Sequence, residues 1–104
     1  GGWWDGAPSR LKPSPDAVLA AEVADLAGGA DVLIERATKL SEAGDHRLAC
    51  HLADLAGWAT PADSGVHAAR ALVYRTRRAA EGSLMAKGIF AGAARESEAI
   101  AERN

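Results

Sequence analysis

The sequence predicts an all-α domain of about five helices. They are arranged in antiparallel hairpins with tetratricopeptide-like packing, and an extended N-terminal arm precedes them. Three observations carry that expectation. Apolar residues recur at spacings of three and four along most of the chain, as one face of a helix requires. No segment shows the strict alternation of a half-buried strand. Glycine, proline and short polar residues punctuate the pattern where helices would start and stop.

Residues 1–13 read as the arm, because Gly1, Gly2, Gly6, Pro8 and Pro13 all oppose a regular helix. Ser14-Pro15-Asp16 reads as a helix start, with Ser14 as N-cap, Pro15 in the first turn and Asp16 favoured by the helix dipole. Leu19, Val23 and Leu26 follow at helical spacing, and Gly28-Gly29 ends the segment. A second helix runs from about Asp31 to Gly44 with Leu33, Ala37 and Leu40 on one face. Asp45 caps a third, in which Leu48, Leu52 and Leu55 form one stripe and Ala49, Ala53 and Ala56 form another beside it. Thr60-Pro61 stops that helix, since the residue before proline is pushed out of the α region. Asp63 or Ser64 starts the fourth, which carries Val66, Ala69, Val73 and Tyr74 and ends in Arg75, Arg77 and Arg78. Glu81-Gly82-Ser83 is a break with a fresh N-cap. The fifth helix runs from Leu84 through Met85, Ile89 and Phe90 to Ile100.

Ala49, Ala53, Ala56 and Pro61, at spacings of 4, 3 and 5 after the Gly44 turn, match the second-helix part of the tetratricopeptide pattern. There, small residues let two antiparallel helices approach closely, and Ala53 is expected at the closest point. The first-helix signature is missing and no repeat recurs after about 34 residues. The segment is a single hairpin of that geometry.

At 104 residues the chain forms one domain able to bury a core. Its 48% hydrophobic and 25% charged residues are those of an ordinary soluble globular protein. Much of the apolar share is alanine, so the interior should consist of closely approaching small side chains. A net charge of −2 gives no field that favours nucleic acid or an anionic membrane. The single cysteine, Cys50, excludes an internal disulfide framework. No run approaches the roughly 18 apolar residues of a membrane span, and no basic-then-apolar leader is present in this stretch, which favours the cytoplasm.

No constellation in the chain carries catalytic chemistry. His46 and His51 are five apart, about 140° around a helix axis, and share no ligand face. With His67 they read as surface or helix-end histidines, and no metal-ligand spacing is present. Cys50, inside an alanine-rich stripe, reads as a small core residue and not a nucleophile. The basic cluster of Arg75, Arg77, Arg78 and Lys87 beside Tyr74 reads as a helix C-terminus complementing the macrodipole, with arginine stems covering apolar surface.

The opening stretch Gly2-Trp3-Trp4-Asp5-Gly6-Ala7-Pro8 resembles the G-W-[FWY]-D-G-N-P segment that begins the helical dimerisation domain of alkyl sulfatases, hydrolases of the metallo-β-lactamase superfamily. The resemblance continues through Leu11-Lys12-Pro13, Leu26-Ala27-Gly28-Gly29-Ala30-Asp31 (family L-A-G-G-A-[DE]), Ala43-Gly44-Asp45-His46-Arg47-Leu48-Ala49 (A-G-[DE]-[YH]-x-x-A) and Ile89-Phe90-Ala91-Gly92-Ala93. Ala7 departs from the usual asparagine, Ala86-Lys87 stand in place of Arg-Asn, and Ile89 replaces a common aromatic.

The resemblance implies a non-catalytic module: residues 1–13 as the connection from a preceding zinc domain, and 14–104 as the helical dimerisation domain. It implies two partners, a second copy of the chain and the parent's catalytic domain, with no nucleic acid and no membrane span. Zinc would reside in the catalytic domain, leaving no catalytic, cofactor or metal residue here. Trp3, Trp4, Asp5, Pro8, Ile89 and Phe90 are the expected interface or docking residues. The alternative is a tetratricopeptide-like adaptor that binds a peptide or helix of another protein.

Overall fold

Glycine and aspartate set the helix ends in the computed structural model, which describes residues 6–82 and 84–103, Leu84 by its backbone alone. Among these residues the chain forms α1 (Asp16–Ala27), α2 (Ala30–Glu42), α3 (His46–Ala59), α4 (Ser64–Ala80) and α5 (Leu84–Arg103). After α1, Gly28 turns to φ 103°, and the Gly29 and Gly28 amides donate back to Ala24 and Asp25. The same pair of bonds recurs after α2, where Gly44 has φ 89° and the amides of Asp45 and Gly44 donate to Leu40 and Ser41. A side chain at these left-handed positions would be strained, which is why glycine stands there. Asp45 and Asp63 cap α3 and α4 as expected, their carboxylates accepting from the Leu48 and Val66 amides at 3.3 and 3.0 Å. Ser83, expected to cap α5, lies outside the described residues.

Two local expectations need correction. Ser14 does not cap α1. Pro15 takes the N-cap position at φ −54° and ψ 140°, with no side-chain cap bond, and its carbonyl accepts from Val18 and Leu19. Proline pushes the residue before it into extended backbone, so the serine hydroxyl sits one residue too early to reach the first-turn amides. The stretch expected to be wholly extended also contains a 3-10 turn at Pro8–Arg10, with the Arg10 amide donating to Ala7. The fixed φ of Pro8 suits the start of that turn.

α2 and α3 form a hairpin across the Ala43-Gly44-Asp45 turn. α1 lies against both, α4 rests on α3 and α2, and α5 packs along α4. α1 and α5 are therefore the flanks of the array. Its centre is built from small side chains: Ala20, Ala37, Ala49, Ala53 and Ala56 are all 0% exposed. Leu33, Ile34, Val66 and Val73 surround the alanines, and Leu52, Leu55 and Cys50 are packed against this core partly buried. Burying a methyl group contributes on the order of 0.8 kcal/mol, against about 1.5–3 kcal/mol for a large apolar side chain. Such a core gains more from close backbone approach than from area per residue.

The inward face of α1 is a further correction. Of the Leu19, Val23 and Leu26 stripe only Val23 packs against the core, partly buried. Ala20 and Ala24 are buried beside it, and Leu19 and Leu26 stay 54% and 84% exposed. The alanine face lets α1 lie closer to α2 and α3 than a leucine face would allow.

Candidate functional site

Five polar side chains on three helices fix how α5 sits on the rest of the molecule. Asp54 of α3 accepts three bonds at one carboxylate oxygen, Oδ1: from Arg70 Nε and Nη2 at 3.2 and 3.0 Å, and from the Tyr74 hydroxyl at 2.7 Å. Arg70 also donates from Nη1 to Ser97 Oγ of α5 at 2.6 Å. The Nδ1 of His67 lies 3.1 Å from the same serine oxygen. Ser97 is fully buried and His67 nearly so. The Arg70 guanidinium lies over the Tyr74 ring, which meets Phe90 of α5, and Arg77 lies over Phe90 in turn. Backbone space matches these side chains: a Cβ on Gly57 would stand only 3.0 Å from Arg70 Cδ and 3.3 Å from His67 Cε1.

Burial, and then the bond to the Asp54 carboxylate, push the Tyr74 hydroxyl well above its ordinary pKa. The thiol of Cys50 is also pushed up, chiefly by burial and against the pull of Arg77. Cys50 lines a cleft of about 290 Å³ with Arg47, His51, Asp54, Tyr74, Arg77 and Phe90. The sequence reading of Cys50 as a small core residue holds in part, since it packs against the alanine core only partly buried. Of the expectation of a surface or helix-end histidine, His67 meets only the second part. It sits in the first turn of α4 but is buried against Gly57 and Ser97, with Nε2 unpartnered among the described residues. His46, whose Nδ1 is likewise unpartnered, begins α3, and His51 is exposed. Among the described residues no three of His, Cys, Asp and Glu are grouped to hold a metal ion. Among the described residues no helix is long and apolar enough to cross a membrane.

The network turns one side of α5 inward and the other outward. Phe90, Ala94 and Ser97 lie on the inward side. At about 100° per residue, Met85, Gly88, Ile89 and Gly92 centre on the opposite side. Met85 and Ile89 are accordingly 79% and 65% exposed. On the other flank of the array, α1 exposes Val18, Leu19 and Leu26. The expected interface residues thus separate. Ile89 faces outward, whereas Phe90 packs inward under Arg77, and Pro8 is exposed at the 3-10 turn. Trp3, Trp4 and Asp5 lie outside the described residues. Sequence reasoning missed the Asp54–Arg70–Ser97 network entirely. Any signal was confined to α4, where His67, Arg70 and Tyr74 recur at spacings of three and four.

The basic cluster divides in the same way. Arg75 pairs with Glu98 of α5, Arg77 approaches Glu81, and Arg77 and Arg78 occupy the last turn of α4. Dipole complementation and coverage of apolar surface account for them.

No curated protein matches the chain. The family model for alkyl sulfatase dimerisation matches residues 1–99, spanning the turns at Gly28-Gly29 and Gly44-Asp45 and the outward face of α5. With all five helices inside or overlapping that match, the chain belongs to the alkyl sulfatase dimerisation family.

Proposed function

We propose that the chain is a non-catalytic module that pairs two copies of a metallo-β-lactamase-fold hydrolase resembling alkyl sulfatases. In this reading sulfate-ester hydrolysis, and the zinc that supports it, belong to a separate domain. This chain supplies association between subunits and a docking surface for that domain.

The observation that carries the reading is an inverted size order. The completely buried apolar side chains are alanines, while Leu26, Met85 and Ile89 are 84%, 79% and 65% exposed. Single exposed leucines are common on protein surfaces. Here the three most exposed large apolar groups lie on the two flanking helices, while the innermost positions are alanines ringed by Leu33, Ile34, Val66 and Val73. Apolar surface gathered in this way marks an interaction site, and family membership supports a second copy as its occupant.

Light scattering coupled to size exclusion tests the association directly. The 104-residue chain should elute with the mass of a dimer at micromolar concentration. A monomer at high concentration would contradict the reading and favour the adaptor alternative. The parent's chemistry has its own test, which is whether an H-x-H-x-D-H segment is encoded upstream in the same reading frame. Without one, the hydrolase assignment fails even if the chain dimerises.

A further inference from the structure

We propose that a second copy of this chain docks on the outward face of α5, with the two helices crossing at Gly88 and Gly92. The inference rests on the dimer reading above and adds which helix makes the contact.

Its starting point is two glycines that nothing among the described residues explains. Glycine is a costly choice inside a helix, since it loses the most backbone freedom on folding. Gly28 and Gly44 are accounted for by positive φ, and Gly57 by the nearness of Arg70 and His67. Neither reason applies on α5. Gly88 and Gly92 do not have positive φ. A Cβ on Gly88 would meet nothing within 4 Å among the described residues, and one on Gly92 would meet only the end of the flexible Arg95 side chain, at 3.8 Å. The space is open toward the outside, where close approach by another molecule would require it.

The surroundings suit a copy of the same surface. Met85 and Ile89 stand beside the two glycines, so one face carries both a projecting apolar ridge and a notch. A two-fold axis sets the ridge of each helix against the notch of the other, as an isologous interface demands. Charge favours α5 over the other exposed apolar flank. Along α1 the charged residues are Asp16, Glu22 and Asp25, all exposed and all acidic. Two copies meeting through α1 would bring like charges together. On α5 the signs balance, with Lys87, Arg95 and Arg103 against Glu96, Glu98 and Glu102. The inward anchors at Phe90 and Ser97 hold the helix in the rotation that presents this face.

Sedimentation equilibrium on the 104-residue chain and four variants tests the assignment, with circular dichroism confirming helicity in each. Gly88→Leu and Ile89→Glu should each raise the dimer dissociation constant by about tenfold or more, since they fill the notch or charge the ridge. Gly88→Ala should raise helicity and still weaken association, a pairing of effects that a purely structural glycine would not produce. Leu26→Glu on α1 should leave the dissociation constant within about twofold of the wild type. A wild-type chain that stays monomeric overturns the dimer reading and this inference with it. A wild-type dimer left intact by the α5 substitutions, or dissociated by Leu26→Glu alone, overturns the α5 assignment only.

Discussion

The α2–α3 junction and the α4–α5 junction hold helices together by opposite means. At the first, Ala37, Ala49 and Ala53 are completely buried and methyl groups let the backbones close up. At the second, a charged and hydroxyl-bearing cluster of Arg70, Tyr74, His67 and Ser97 bridges the helices, tied to Asp54 of α3. A dry alanine contact fixes distance and says little about rotation. A polar cluster in which Ser97 must meet Arg70 fixes rotation, because α5 turned by one residue would leave buried groups unpaired. The difference fits the tasks of the two junctions. The hairpin is internal, whereas α5 carries an outward face whose direction matters.

Substitutions can break that comparison. The largest effect is expected at Arg70→Leu, which leaves the Asp54 carboxylate without its cation in a place where their side chains are only 11% and 22% exposed. The loss should be about 3 kcal/mol in urea unfolding, and replacing Asp54 by leucine as well should recover part of it. Next is Ala53→Leu in the dry junction. Overpacking there should cost about 2 kcal/mol, and an unchanged melting temperature would mean that the helices do not close over this residue.

Tyr74→Phe comes third, with an expected loss of about 1.5 kcal/mol for a hydrogen bond to a carboxylate. It also sharpens the contrast through pH. The folded chain holds the Tyr74 proton more tightly than the unfolded chain does, whose tyrosine titrates near its ordinary value of 10.0. This contribution to stability is therefore complete below pH 10 and falls as the pH rises above it. Alkaline unfolding of the wild type should steepen in that range, and Tyr74→Phe should flatten the fall. The smallest effect belongs to neither junction: Asp63→Ala should cost about 1 kcal/mol by removing the α4 cap, read as a modest drop in melting temperature.

The same contrast decides what could be read from the sequence. Helix ends were legible because Gly28, Gly44, Asp45 and Asp63 act on neighbours within a few residues. The alanine stripe of α3 was legible because its spacing is local too. Asp54, Arg70 and Ser97 were not, since their meeting depends on three helices from distant parts of the chain and no local period marks them. The burial of His67 was illegible for the same reason, as it is decided by Gly57 and by Ser97, thirty residues further on. On α1 the periodicity of Leu19, Val23 and Leu26 was real, but only Val23 packs against the core and both leucines stay exposed. Spacing identifies an apolar face without saying whether the chain's own helices or another molecule will cover it. Ser14 failed on a finer point, because Pro15 moved the helix start by one residue.

The central claim is that the apolar side chains left outside on α5 are covered by a second copy. Its most direct test is the thermal midpoint of the chain across a broad dilution series. Folding coupled to dimerisation makes the midpoint depend on concentration by mass action. The account predicts a melting temperature that rises steadily as the chain is concentrated. A midpoint that stays constant over the whole series, with unfolding reversible throughout, would contradict it.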